Sequence, residues 1–417
     1  MNLTAIIAFI FVFGVLVAVH EFGHFFVAKK AGVLVREFAI GMGPKLLSWH
    51  RNHTAYTVRI LPVGGYVRMA GLDEEADLDS GQRVRLIFDD QKNIVKIDKR
   101  IHEFGDGVPF QVDTFDLSDD LTLTGFLNGD ELSKTLAVHH DATIVENNGT
   151  EIQIAPRDTW IQSAKVYKRA LINIAGPAMN FILALIVFSG LAFALPEVTL
   201  NEPIVGTVQN NMPARKAGLR ADDQIIAINN QKMSTWEQVA TTISNTPTNK
   251  FVFSVLRNGN KIKLNMTAKT VKIDGVNRSL VGITARTYTD FGSRIKYGVL
   301  TTSTTIQRIW YALSHLFSGG FSLDKLGGPV SIAKQTSTVA KTGFLGILAF
   351  MAMLSLNLGI MNLVPIPALD GGKLVLNAIE AVLRRPLPAS IENVVTIGGA
   401  IFMFVLMIAV TINDLLR

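Results

Sequence analysis

His20, Glu21 and His24, written HEFGH across residues 20–24, are the residues of this 417-residue chain best suited to chemistry. Side chains four apart on a helix lie on one face, one turn above the other, so both imidazoles can reach a single ion while Glu21 flanks it. That is the pattern of a zinc site with an adjacent general base. The surroundings sharpen the reading, because Leu3 to Val27 is apolar and carries no charge before Glu21. Ionisable side chains in a bilayer cost several kcal/mol, and those found there face a partner or a water-filled cavity. A histidine pair with only a packing role has no reason to tolerate both a membrane and a neighbouring carboxylate.

A catalytic zinc usually takes three protein ligands and keeps one position open for water, so the two histidines need a third donor. The chain has no Cys, which removes thiolate ligands, a thiol nucleophile and disulfides together. The best candidate is Asp370, in NLVPIPALDGG at residues 362–372. Pro365 and Pro367 remove backbone donors and break a helix, while Gly371 and Gly372 permit a turn, so irregular backbone is expected near membrane depth. Such backbone is tolerated there only where it is buried in protein or lines a cavity. The plain alternative is a turn in which Asp370 caps a helix; beside HEFGH, the ligand reading is preferred.

The elements that must position these groups follow from composition. The chain is 48% hydrophobic and 18% charged, with mean hydropathy +0.32, too apolar for an ordinary soluble enzyme of this length. Apolar windows near 3–27, 171–195, 343–364 and 394–413 are each long enough to cross about 30 Å of hydrocarbon. The first has no Lys or Arg before it and no small-residue cleavage signature after it, and it runs into HEFGH, so it is read as a retained helix rather than a signal peptide. Lys29 and Lys30 follow the first span, Lys165, Lys168 and Arg169 precede the second, and Arg384 and Arg385 lie between the third and fourth. Those connections are expected on the cytoplasmic side, with both termini and the 196–342 segment outside. Topology accounts for much of the net charge of +6, and no basic stripe interleaved with aromatics suggests nucleic acid as a partner. With helices one and three running inward, His20 lies about 25 Å along its helix, at the depth Asp370 reaches after the third.

At these residues the chain resembles the bacterial site-2 protease family of intramembrane zinc metalloproteases, in its RseP/RasP-like branch. HEFGH is similar to that family's zinc-binding helix, NLVPIPALDGG to its second metal motif, and IAGPAMNF at 174–181, with Gly176, Pro177 and Asn180, to its second-helix signature. GMGPKL at 41–46 and PVGGYVRMAG at 62–71 match as well. The resemblance implies that His20, His24 and Asp370 hold Zn2+, that Glu21 is the catalytic base and acid, and that Asn362 and Pro365 contact the substrate. For Asn362 an interhelical hydrogen bond is the open alternative. It also implies single-pass transmembrane proteins as substrates and the bacterial cytoplasmic membrane as the location.

The expected architecture is a multi-pass α-helical membrane protein of about four transmembrane helices. Residues 1–34 form the first helix with HEFGH, and 35–72 a membrane-reentrant β-loop, the latter implied by the resemblance. Residues 73–160 form a cytoplasmic β-rich insertion of opaque role, and 161–196 the second helix. Residues 197–275 resemble an extracytoplasmic PDZ-like α+β domain, with Asn258-Gly259 as a hairpin signal. Whether it takes a peptide or acts as a size filter stays open. A linker and amphipathic helix fill 276–342, with Trp310 and Tyr311 suited to a membrane surface. The third helix with NLVPIPALDGG spans 343–372, and a cytoplasmic loop and the fourth helix span 373–417. His50 and His53 read as solvated hairpin residues rather than ligands. A membrane metal-ion transporter is the rival function. It predicts polar groups strung through the full depth and repeated halves, whereas the sequence has one ionisable cluster at one depth.

Overall fold

The computed structural model describes residues 3–71, 78–100, 107–147, 149–246, 248–273, 276–318 and 327–416. The first residues of the expected 73–160 insertion therefore lie outside the described residues. The chain divides into two compact units, one of residues 1–184 with 308–417 and one of residues 185–307.

Helix α1 (Leu3–Ala31) is uninterrupted by Pro and stops where Gly32 turns the chain at φ +86°. Lys168 donates to its final carbonyl, that of Ala31, at 2.8 Å. Strands β1 (Val35–Arg51) and β2 (Thr54–Met69) form a long hairpin that folds back on itself, so that Glu37–Ile40 pairs both with Gly65–Arg68 and with Ala55–Val58. Its turn is Asn52-His53, both at positive φ.

Strands β3 (Arg83–Phe88), β4 (Ile94–Asp98), β5 (Val108–Asp116), β6 (Thr122–Leu127), β7 (Lys134–Val145) and β8 (Glu151–Gln153) follow. They lie in the order β4-β3-β5-β6-β7-β8, and a further β4–β7 pairing closes the sheet into a small barrel. Leu86, Ile94, Ile97, Leu123 and Ile144 fill it. Helix α2 (Val166–Ala194) carries Pro177 inside it.

The unit of residues 185–307 is α+β. After β9 (Val198–Thr199) come β10 (Val205–Val208), α3 (Pro213–Lys216), β11 (Gln224–Ile228), β12 (Gln231–Lys232), α4 (Trp236–Asn245), β13 (Lys250–Arg257) and β14 (Asn260–Thr267). Strands β12-β11-β13-β14 form a four-stranded sheet whose β13–β14 turn is Asn258-Gly259, both at positive φ. Thr235 caps α4 by accepting from the Gln238 N–H. The hairpin of β15 (Lys269–Ile273) and β16 (Val276–Leu280) is followed by β17 (Ile283–Ala285), which pairs with β10, and β18 (Thr287–Tyr288), which pairs with β9. Pairing in this unit thus runs past residue 275. Helix α5 (Phe291–Ser318) follows, with Trp310 and Tyr311 exposed.

The first unit resumes with α6 (Pro329–Ala340), which packs on α1, α7 and α9. Helix α7 (Phe344–Asn362), helix α8 (Asp370–Leu383) and helix α9 (Ala389–Leu416) complete the chain. Asp414 of α9 accepts the Ser331 N–H at 2.9 Å and so caps α6 from a neighbouring helix. Among the described residues, α1, α2, α7 and α9 are the helices long and apolar enough to cross a membrane. The helical break expected after Asn362 is present, with α7 ending there and α8 beginning at Asp370.

Candidate metal centre

Three helices meet at the cluster, and glycines let them approach. A Cβ on Gly23 of α1 would fall 2.3 Å from the Ala175 carbonyl oxygen of α2, and one on Gly176 would fall 2.2 Å from His24 Nε2. The backbones of α1 and α2 therefore touch beside the histidines. The loop from Leu363 to Leu369 is compacted in the same way. Cβ atoms on Gly371 and Gly372 would lie 2.3 Å and 2.4 Å from the Val364 and Ile366 carbonyl oxygens, and one on Gly399 of α9 would lie 2.3 Å from Pro367. Ala368 sits at φ +77°, a left-handed conformation an L-residue adopts at some cost, two residues before Asp370.

The result brings His20, His24 and Asp370 together. His20 Nε2 and His24 Nε2 each lie 3.3 Å from Asp370 Oδ2, and the two nitrogens lie 3.3 Å from each other. This is the group of metal-ligating type and spacing among the described residues. Tetrahedral donors bonded at about 2.0–2.1 Å are spaced about 3.3 Å apart, so the triangle has the dimensions of one face of a zinc site. Asp370 Oδ2 is also buried without a hydrogen-bond partner, although two ring nitrogens converge on it. An ion equidistant from all three atoms satisfies them at once. The residues fit zinc.

The far side of each ring is tied down. His24 Nδ1 lies 2.7 Å from the Ile172 carbonyl of α2, which can only accept, so Nδ1 carries the proton and Nε2 keeps its lone pair for the centre. His20 Nδ1 lies 3.1 Å from the side-chain amide of Asn180, whose main-chain carbonyl accepts from Ser355 Oγ of α7. For His20 Nε2 to ligate, the amide must present Oδ1 to the ring N–H. Which end of an amide faces a partner is assigned from chemistry of this kind.

Glu21 lines the cavity of about 870 Å³ that opens from the cluster, together with Gly65–Met69 of β2, Asn362 and Asp370. Asn362 Nδ2 is spent on the Leu358 carbonyl of its own helix. Pro365 is exposed and is not among the cavity-lining residues. His50 and His53 are exposed at the hairpin turn, away from any ligand cluster among the described residues. Sequence reasoning missed Ile172 and gave no site role to Asn180. A carbonyl leaves no trace in side-chain types, but Asn180 was detectable as a polar residue four positions from Gly176 in an apolar helix.

Apolar helices that enclose a zinc-sized cluster, a carboxylate and a polar cavity are the marks of a membrane metallopeptidase. The chain belongs to peptidase family M50, the site-2 proteases, whose profile matches residues 8–406. It is 45% identical over 419 residues to "Probable protease eep" of Enterococcus faecalis, covering 99% of each chain. It is 41% identical to "Putative zinc metalloprotease LL2128" of Lactococcus lactis, with 99% of this chain and 98% of that one covered. The match to "Putative zinc metalloprotease" of Streptococcus pneumoniae is 42% with the same coverage. The chain is thus a zinc metalloprotease.

Proposed function

We propose that this enzyme is an intramembrane endopeptidase that cuts single-pass membrane proteins near the cytoplasmic face of the bilayer, after another protease has trimmed their external part. Anti-sigma factors and remnant signal peptides are the substrate classes the family resemblance suggests. In this reading the bacterial cytoplasmic membrane holds the protein with both termini outside, and His20, His24 and Asp370 hold the zinc. The observation that carries the proposal is the triangle of three donor atoms 3.3 Å apart inside a bundle of membrane-type helices.

Bound there, zinc would polarise the scissile carbonyl and lower the pKa of a water to about 7. The chain's own groups do the rest. Glu21 takes a proton from that water and returns it to the leaving amine. Ile172 and Asn180 fix the two rings, so the donors are preorganised before substrate arrives. A helical scissile bond is shielded by its own hydrogen bonds, so the substrate must unwind. The Gly65–Met69 stretch of β2 lines the cavity and offers a strand edge on which an extended segment can add. This role fits a hairpin, residues 35–72, that re-enters the membrane. Residues 73–160 are then cytoplasmic, and residues 197–275 are a PDZ-like module outside. Asn362, at the cavity wall, contacts the substrate backbone through its free carbonyl, and Pro365 shapes the loop beside it.

The test is Glu21→Gln in the full chain in membranes. Zinc content stays stoichiometric while cleavage of a tagged single-pass substrate drops by about 10²-fold or more. Unchanged cleavage rejects Glu21 as the base, and absence of zinc from the wild-type protein rejects the proposed centre.

A further inference from the structure

Beyond the metal cluster, α8 carries a second feature that the mechanism above leaves unused. Asp370, Lys373, Asn377 and Glu380 follow one another at spacings of three or four, so they form a polar stripe on one face of the helix. On α2, Arg169, Asn173, Gly176 and Asn180 repeat the pattern. The two stripes are joined at their far ends by a buried ion pair between Arg169 Nη2 and Glu380 Oε2. Glu380 Oε1 also accepts the Leu387 N–H at 2.8 Å. Arg169, Asn173, Lys373 and Asn377 line the same cavity that begins at the metal ligands.

Two donors in this recess have nothing to donate to. Arg169 Nε and Asn377 Nδ2 are buried without hydrogen-bond partners, and Asn377 is only 7% exposed. A buried donor left unpaired costs about 1–3 kcal/mol, so a built, donor-rich recess calls for an acceptor. A transmembrane helix that unwinds to be cut frees main-chain carbonyl oxygens, each of which needs a donor in an environment poor in water.

We propose that the recess between α2 and α8 is a substrate subsite in which Asn377 Nδ2 and Arg169 Nε receive main-chain carbonyl oxygens of the unwound segment. The inference rests on the endopeptidase reading above. Asn377 lies seven residues along α8 from Asp370, about 10 Å at 1.5 Å per residue. An extended peptide advances about 3.3 Å per residue, so the carbonyl bound there is about three residues from the scissile bond. The Arg169–Glu380 pair holds the far end of the helix that carries the third metal ligand, and so sets the width of the recess.

The experiment uses the full-length protein in lipid nanodiscs and a set of single-pass peptides in which one carbonyl at a time, through six positions on each side of the cut, is replaced by a thioamide, a weaker acceptor. For the wild-type enzyme, KM rises about fivefold, the worth of one neutral hydrogen bond, at a position about three residues from the cut, with kcat unchanged. Asn377→Leu, which keeps the branched heavy-atom skeleton and removes the donor, raises KM about fivefold for the all-oxygen peptide and abolishes the further penalty from that thioamide. A flat scan in the wild-type enzyme overturns the subsite, leaving water as the partner of those donors, and so does a penalty that persists undiminished in a folded, zinc-replete variant. If Asn377→Leu does not retain zinc, the wild-type scan decides alone. If the all-oxygen peptide is not cleaved at all, the endopeptidase reading fails and the subsite falls with it.

Discussion

Two β structures follow α1 in the chain, and they are built inside out relative to each other. In the barrel of β3 to β8, Leu86, Ile94, Ile97, Leu123 and Ile144 point inward, and among its described residues Leu132 is the large apolar side chain left exposed. In the β1–β2 hairpin a polar cluster is inside and large apolar side chains are outside. Glu37 accepts from Thr57 Oγ1 at 2.7 Å, Arg59 Nη2 at 2.8 Å and Tyr66 Oη at 2.9 Å. Met42, Leu46, Leu47, Trp49, Ile60 and Leu61 are exposed. The alternation of polar and apolar residues is the same device in both; which face turns outward depends on what lies outside. Water outside would select the barrel's arrangement, and the apolar surrounding of the proposed membrane re-entry would select the hairpin's.

The largest effect that tests this contrast comes from placing the same charge in both. Leu86→Asp buries a carboxylate in the barrel, costing more than about 3 kcal/mol, and hydrogen exchange should report loss of protection throughout residues 83–145. Leu47→Asp should leave barrel protection unchanged but cost about 2 kcal/mol in a bilayer, read as lowered thermal stability in nanodiscs and little change in a detergent that hydrates the hairpin. A silent Leu47→Asp in nanodiscs would break the comparison.

A smaller effect is expected from the hairpin's polar interior. Tyr66→Phe removes one donor to a buried carboxylate, an interaction worth about 1–2 kcal/mol, and should loosen the strand that lines the cavity. Cleavage should fall several-fold through KM, with zinc content intact; an unchanged KM would separate the network from the strand it supports.

The smallest effect is one of pH, and the two regions should respond with opposite sign. Burial pushes the Glu37 carboxyl up, but the hydrogen bonds from Thr57, Arg59 and Tyr66 outweigh it and hold it below its ordinary 4.5. A depressed carboxyl stabilises the fold above its unfolded value and ceases to as pH falls through the folded one, so hairpin protection should hold from pH 7 to 5 and fade below 4.5. In the barrel region, the hydrogen bond to Asp141, opposed by burial and assisted by Asp158, holds His140 above its ordinary 6.5. A raised imidazole contributes fully below 6.5 and loses its contribution as pH rises through the folded value, so protection around residues 140–158, relative to the intrinsic base-catalysed exchange rate, should fall toward pH 8. Hydrogen exchange across both segments checks the two signs in one series.

The cluster of His20, His24 and Asp370 was legible because ionisable residues are conspicuous in apolar helices, and the α7–α8 break because Pro365 and Pro367 cannot continue a helix. The 20–24 and 362–372 stretches carried their information locally. Other features had no local signal. Barrel closure pairs Ile94–Asp98 with Val138–Val145, some forty residues apart, and no pattern in either strand names the other. Helix α6, in GGPVSIAKQTSTVA, is rich in Ser and Thr and is held by packing on three helices and by Asp414, so propensity alone gave a linker. Thr57 and Arg59 turn inward to Glu37, an orientation that no local pattern fixes, since the sequence does not carry the solvent with it. The α8 stripe was readable from its spacing, but a row of mixed Asp, Lys, Asn and Glu has no meaning until α2 lies across from it.

Pro177 carries a consequence for the grip on an unfolding chain. Lacking an N–H, it cannot supply the helical bond to the carbonyl of Asn173, four positions earlier. A stretched polypeptide shows donors and acceptors in turn, and a wall made only of N–H groups meets half of them. In the proposed subsite, the carbonyl of Asn173, a residue that lines the same cavity, would supply the other half, so a proline that looks like a defect in a helix would let α2 hold both sides of a peptide's polar edge.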